Sequence, residues 1–290
     1  MGRSAHDLDG GDIVLGHFTL GRSYPMRERL AAAREAGVAG VGMFMADLER
    51  CASEGMSDHD LSDLLAEHEL LFVDLDLINL APRDPVIAER SRRFVDRAVE
   101  LADRFGYRYL QTIAPNAEPG AAGFDETVAA LGAVADALAP FDVEVGLEYA
   151  GFTTVTTATE ALAMVAACGR PNVGVCVDVW HHRRAAHDVA IASIPPSTIR
   201  CVQLNDGPLQ PEEADYKTDC VRNRWPPGTG EMDVANLVGE LIAAGVDVPW
   251  TVEVCRGDDE LSGGRGHAHV LRCVAATREL LEAVASGRRP

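Results

Sequence analysis

Eight short apolar runs, each followed by a helix-length stretch, punctuate the chain from one end to the other. The strand-like runs are Ile13–Leu20, Ala39–Met43, Leu71–Leu77, Tyr107–Ile113, Val143–Tyr149, Val173–Trp180, Ile199–Leu204 and Trp250–Cys255. Between and after them, helices are expected at Met26–Ala36, Asp58–His68, Pro85–Phe105, Phe124–Leu138, Thr157–Cys168, Ala185–Ser193, Asp233–Ala244 and His267–Ala285. Gly37, Gly106, Gly169 and Gly245 stand just past four helix ends, Pro25 and Pro85 stand near two starts, and Asp125 or Thr157 is a candidate N-cap. Strict strand–helix alternation calls for a parallel sheet, and eight units close it into a single (β/α)8 TIM barrel of the α/β class. A doubly wound open sheet would need a glycine-rich phosphate turn after the first strand, and His17-Phe18-Thr19-Leu20-Gly21-Arg22 does not supply one. The expected division is a polar N-terminal tail at 1–12 and one barrel at 13–290, with the active site at the C-terminal ends of the strands.

The last four runs share a second feature. Side chains alternate across a strand, so each run presents two faces. In Val143–Glu148 one face carries Val145 and Leu147 and the other Gly146 and Glu148. The corresponding polar ends are Asp178 after Gly174 and Cys176, Gln203 after Cys201, and Glu253 after Thr251. An unpaired buried carboxylate costs roughly several kcal/mol, so three carboxylates and an amide on four consecutive strands imply a shared partner. An all-oxygen set suits one divalent ion per chain: manganese, magnesium or cobalt, with zinc also compatible. The small residues beneath are expected to leave room for a ligand.

Composition excludes several classes. The formal charge is −19 over 290 residues, which opposes binding to a nucleic-acid backbone or an anionic membrane. Seven cysteines without a C-x-x-C pair point to free thiols in a reducing compartment, and no secretory or membrane-spanning segment is evident. A cytoplasmic protein with a small-molecule substrate is expected, and a homo-oligomer is compatible with this. Gly207–Gly230 is the longest irregular stretch and a candidate binding loop.

Gly146-Leu147-Glu148-Tyr149, Val177-Asp178-Val179-Trp180-His181, Val202-Gln203-Leu204-Asn205-Asp206-Gly207, Pro227-Gly228-Thr229-Gly230-Glu231-Met232-Asp233 and Thr251-Val252-Glu253-Val254 resemble the xylose-isomerase-like TIM barrels. That superfamily includes ketose 3-epimerases, hydroxypyruvate isomerases, and inosose and 3-dehydroshikimate dehydratases. The resemblance implies that Glu148, Asp178, Gln203 and Glu253 are the metal ligands and that Glu148 and Glu253 also act as acid and base. It implies a substrate-binding role for His181 and for an arginine before the Pro-Gly-x-Gly loop, Arg224 in preference to Arg222. The third ligand is His in many members and Gln in others, so Gln203 departs from the epimerase-like pattern. From the strand parity, His17 and Asp76 join the substrate wall, with Asp74 on the same face as Asp76.

The function expected from these residues is metal-dependent isomerisation or epimerisation of a small keto-sugar through an enediolate. The alternative is dehydration of a cyclic polyol ketone of the inosose or 3-dehydroshikimate type. An endonuclease IV-like nuclease would draw on His17, His181, His182 and His187 but meets the opposing charge. A non-catalytic sugar-binding barrel is the remaining reading, and the intact set of four oxygen donors gives it no support.

Overall fold

The computed structural model describes residues 2–21, 24–184 and 189–287. Eight parallel strands close into one barrel in sequence order: β1 Ile13–Leu15, β2 Gly40–Phe44, β3 Leu71–Asn79, β4 Tyr109–Ile113, β5 Glu144–Glu148, β6 Val173–Asp178, β7 Ile199–Leu204 and β8 Trp250–Val252. The helices are α1 Met26–Ala36, α2 Met45–Ser53, α3 Asp58–Glu67, α4 Pro85–Phe105, α5 Phe124–Leu138, α6 Ala158–Cys168, α7 Val179–Arg184, α8 Tyr216–Arg222, α9 Val234–Ala244, α10 Asp258–Leu261 and α11 Arg265–Ala285. Among the described residues, no helix is long and apolar enough to cross a membrane.

Local chemistry accounts for the element ends. Asp84 caps α4 by accepting from Val86 N and Ile87 N, with Pro85 in the first turn where its missing N–H costs nothing. Gly106 ends the same helix at φ 59°, a left-handed conformation that a side chain would strain. Thr157 caps α6 as expected. Asp125 does not cap α5; it lies inside the first turn, and Glu126 reaches back to the N–H of Gly123 instead.

Several boundaries differ from expectation. Strand β1 stops at Leu15, and His17–Leu20 forms a 3-10 turn. Thr19 explains this change and the early end of β8: its hydroxyl donates to Val252 O at 2.8 Å and accepts from Val254 N at 3.0 Å, replacing the ladder there. Strand β6 ends at Asp178, because Val179 and Trp180 already belong to α7. The expected helix Ala185–Ser193 begins in 185–188, outside the described residues, and its end is a 3-10 turn at Ile191–Ser193. Three further helices were not anticipated: α2 follows β2 directly, α8 lies inside the stretch read as irregular, and the short α10 precedes α11.

At the N-terminal end of the barrel, Ala5 and Leu8 pack on Val14 and Val73. Arg108 Nη1 donates to Leu8 O and Trp250 Nε1 to Gly10 O, which fastens this segment across the strand starts. Inside the barrel, Tyr109, Cys176 and Cys201 form a small buried cluster beneath the polar strand ends. Asp74 pairs in register with Tyr109 and fills the space over Gly42.

The space above Gly146 is therefore not a ligand's. A Cβ there would meet Tyr109 Oη at 2.4 Å and two of its ring carbons within 2.8 Å. The glycine exists to admit a rigid buried phenol. Gly146→Ala is expected to destabilise the protein by about 1–3 kcal/mol, the usual range for overpacking, as measured by urea unfolding. A variant as stable as the parent would show that the ring has room to move aside.

Candidate metal and substrate site

Glu148, Asp178, Gln203 and Glu253 stand at or just past the ends of β5, β6, β7 and β8, and all four are at most 5% exposed. Strand parity turns them inward, and hydrogen bonds join them. Gln203 Nε2 donates to Glu253 Oε1 at 3.1 Å. Arg224 Nη1 bridges Asp178 Oδ2 at 2.8 Å and Glu253 Oε2 at 3.1 Å. Ligand-capable atoms of Glu148, Asp178 and His181 lie within 4.8 Å of one another.

Each carboxylate is aimed by its surroundings. Asp178 Oδ1 accepts from Trp180 N, His181 N and Asn205 Nδ2. The first two donors exist because α7 starts immediately after β6 and exposes its N-terminal amides. Oδ2 is left to face the centre, where Arg224 holds it. Glu148 Oε2 accepts from Gln111 Nε2 at 2.9 Å.

The electrostatics follow from this crowding. Burial, with Asp178 and Glu253 nearby, pushes the Glu148 carboxyl well above its ordinary value. Glu253 is likewise raised by burial, against the opposing pull of Arg224. Burial also acts on Asp178, but Arg224, His181 and Asn205 outweigh it and keep that carboxyl low and charged. Burial lowers His181 to about 4, so its imidazole is neutral at physiological pH. Its Nδ1 lies 2.8 Å from Tyr216 Oη, and its Nε2 lies 3.7 Å from Glu148 Oε1. A buried set of oxygen donors in which two of three carboxyls are held above their usual range is short of positive charge, and this fits a hard divalent cation.

The remaining sequence-predicted residues divide. Arg224 is buried against the cluster, with Nε on Cys220 O and Nη2 3.1 Å from Cys220 Sγ. Arg222 lies half-buried at the end of α8, where its carbonyl accepts from Arg256. His17 sits in the 3-10 turn after β1, not on the strand, with Nδ1 2.6 Å from Asp76 Oδ2 and its ring stacked on Phe44. His17, Asp76 and Glu253 bring ligand-capable atoms within 4.8 Å, so this pair forms the opposite wall of the same site. Burial raises Asp76 to about 8, and burial with Asp76 beside it raises Asp74 well above its ordinary value. His182 turns away to Tyr149.

Sequence reasoning missed several residues. Gln111 on β4 shares the inward parity of Tyr109, and that periodicity was the available signal. Asn205 lies two residues beyond Gln203. Tyr216, Cys220 and Phe152 come together only through tertiary structure: Phe152 meets the His181 ring edge-on at 5.9 Å, and Tyr216 stacks on it.

The long stretch after β7 is clasped at its base by Asp206. Its Oδ1 accepts from Gly207 N and Met232 N, its Oδ2 from Gly230 N, and its backbone exchanges two hydrogen bonds with Trp225. Arg184, seated over Trp180, ties the same stretch down through Asp219 and the carbonyl of Leu209.

Comparison with known proteins agrees with this architecture. A ketose 3-epimerase of Arthrobacter globiformis is 28% identical over 188 residues, which cover 61% of this chain and 60% of that protein. The chain is thus matched over about three-fifths of that relative's length. A xylose isomerase domain protein from Alicyclobacillus acidocaldarius subsp. acidocaldarius superposes with a TM-score of 0.77 at 25% identity, covering 94% of this chain and 99% of that one. The IOLI protein, in a crystal structure with a binding zinc atom, shares the fold at a TM-score of 0.81 and 18% identity, with the same coverage of both chains. Residues 30–276, most of the chain, match the family described as xylose isomerase-like TIM barrel, and the protein belongs to that family.

Proposed function

We propose that the protein is a divalent-metal-dependent isomerase or epimerase acting on a small keto-sugar through an enediolate. The observation that carries this reading is the convergence of Glu148, Asp178, Gln203 and Glu253 on one buried centre. These four would hold the ion, and the zinc atom of the IOLI protein and the ketose 3-epimerase relative support the same reading. A bound divalent ion polarises a carbonyl and its neighbouring hydroxyl, which acidifies the C–H between them.

Glu148 and Glu253 are the acid/base pair. They approach the centre from strands three apart, and burial raises both carboxyls well above their ordinary range, which favours the protonated form that the acid of the pair must hold. One removes the proton from carbon and the other returns it, to the neighbouring carbon or to the opposite face. His181, neutral and held by Tyr216, presents Nε2 to a substrate oxygen. Arg224 is committed to Asp178 and Glu253, which favours an uncharged substrate over a carboxylate or phosphate ester. The net charge of −19 argues the same way against a phosphodiester.

The second reading is dehydration of a cyclic polyol ketone, favoured by the His17–Asp76 pair facing Glu253. Such a pair could protonate a departing hydroxyl. The commitment of Arg224 favours an inosose over 3-dehydroshikimate, which carries a carboxylate.

Metal analysis of the purified protein should find one divalent ion per chain, and Glu148→Gln should lose most of it. With a panel of ketoses and inososes in D2O, deuterium should appear beside the carbonyl, and Glu253→Gln should slow that exchange by at least about 100-fold. Turnover of a true substrate without deuterium uptake would remove the shuttling role from both glutamates.

The lowered pKa of His181 makes a separate prediction for metal-free protein. The unfolded chain binds the imidazole proton from about pH 6.5 downward and the folded protein only near 4, so stability falls with pH across that window. His181→Phe should remove this component, and its urea-unfolding free energy should fall less steeply than the parent's between about pH 7 and 5. Parallel curves for the two proteins would mean that His181 protonates as easily folded as unfolded.

A further inference from the structure

Gln111 belongs to neither the predicted ligand set nor the acid/base pair, yet both ends of its buried amide are used by residues on other strands. Nε2 donates to Glu148 Oε2 on β5 at 2.9 Å, and Oε1 accepts from Gln203 Nε2 on β7 at 2.9 Å. Gln203 Nε2 also donates to Glu253 Oε1 at 3.1 Å. A chain of hydrogen bonds, Glu148–Gln111–Gln203–Glu253, therefore crosses the barrel and joins the two carboxylates through two amides. Gln111 is 5% exposed, so water does not substitute for these partners.

The direction of this chain matters for cation binding. A glutamine binds a hard cation through its carbonyl oxygen. In the arrangement found, Gln203 turns its amide nitrogen to Glu253 and its Oε1 to Cys176 Sγ at 3.6 Å. Presenting Oε1 to the centre requires the amide to turn over. If Gln111 stayed in place, its Oε1 would then face Gln203 Oε1, acceptor against acceptor. If Gln111 turns as well, it gives up its bond to Glu148 Oε2, and its Nε2 donates to one lone pair of Gln203 Oε1 and leaves the other for the cation. The pair keeps its mutual bond only by turning together.

We propose that Gln111 is a positioning residue: it sets which atom Gln203 offers to the cation. This rests on Gln203 being a ligand, as argued above. Gln111 touches neither cation nor substrate in this scheme.

The test uses Co2+, followed by calorimetric titration and by the visible absorption of the loaded protein, in Gln111→Met, Gln203→Met and the double variant. Methionine matches the length of glutamine and removes both hydrogen bonds. Gln111→Met is expected to weaken Co2+ binding by about tenfold or more, the usual cost of losing a ligand's outer partner, and to shift the absorption bands. In the Gln203→Met background the same substitution should change neither readout. Gln111→Asn, which keeps the amide but is too short to span both partners, should repeat the loss if the methionine variant does not fold. Wild-type affinity and bands in both Gln111 variants would overturn the proposal, as would effects that simply add to those of Gln203→Met. Gln203→Met binding Co2+ like the parent would refute the ligand set and this inference with it. A parent protein that takes up no Co2+ would refute the metal centre itself.

Discussion

Three carboxylates buried at one end of a closed barrel dominate the energetics of this molecule. Glu148, Asp178 and Glu253 are at most 5% exposed, and like charges repel strongly in a medium of low polarisability. The described residues answer with one guanidinium, Arg224, and with a dense set of N–H donors from α7, Asn205, Gln111 and Gln203. These are enough to keep Asp178 ionised but leave Glu148 and Glu253 with raised pKa values. The unequal supply of donors thus separates a carboxyl held below its ordinary range from two held above it.

Much of the fold was legible because its signals are local. Parity on β5 to β8 marked Glu148, Asp178, Gln203 and Glu253 as inward, and glycines marked four helix ends. Where the reading erred, a side chain from elsewhere had taken over the backbone. The hydroxyl of Thr19 stops both β1 and β8, and no periodicity reports that contact. Val179 and Trp180 looked like continued strand because a buried helix is as apolar as a buried strand over so short a run.

The site was legible in part for the same reason. Ligand-type residues at strand ends are visible one strand at a time, whereas Gln111 becomes informative only when β4 is placed across from β7. The space over Gly146 was misread because a small residue reports that something must fit, not what fits. It is occupied by Tyr109 from the neighbouring strand, so the volume expected for a ligand is part of the barrel's own packing.

The Asp206 clasp has an evolutionary consequence. Because one side chain pins both ends of the stretch between Gly207 and Met232, what lies between, Arg224 apart, can change in length or sequence while the barrel closes as before. That interval carries Tyr216, Cys220 and Arg224, the partners of His181, Asp178 and Glu253. It is an exchangeable cassette: recombination between relatives at these two points would transplant one wall of the pocket and leave the strand-end residues in place.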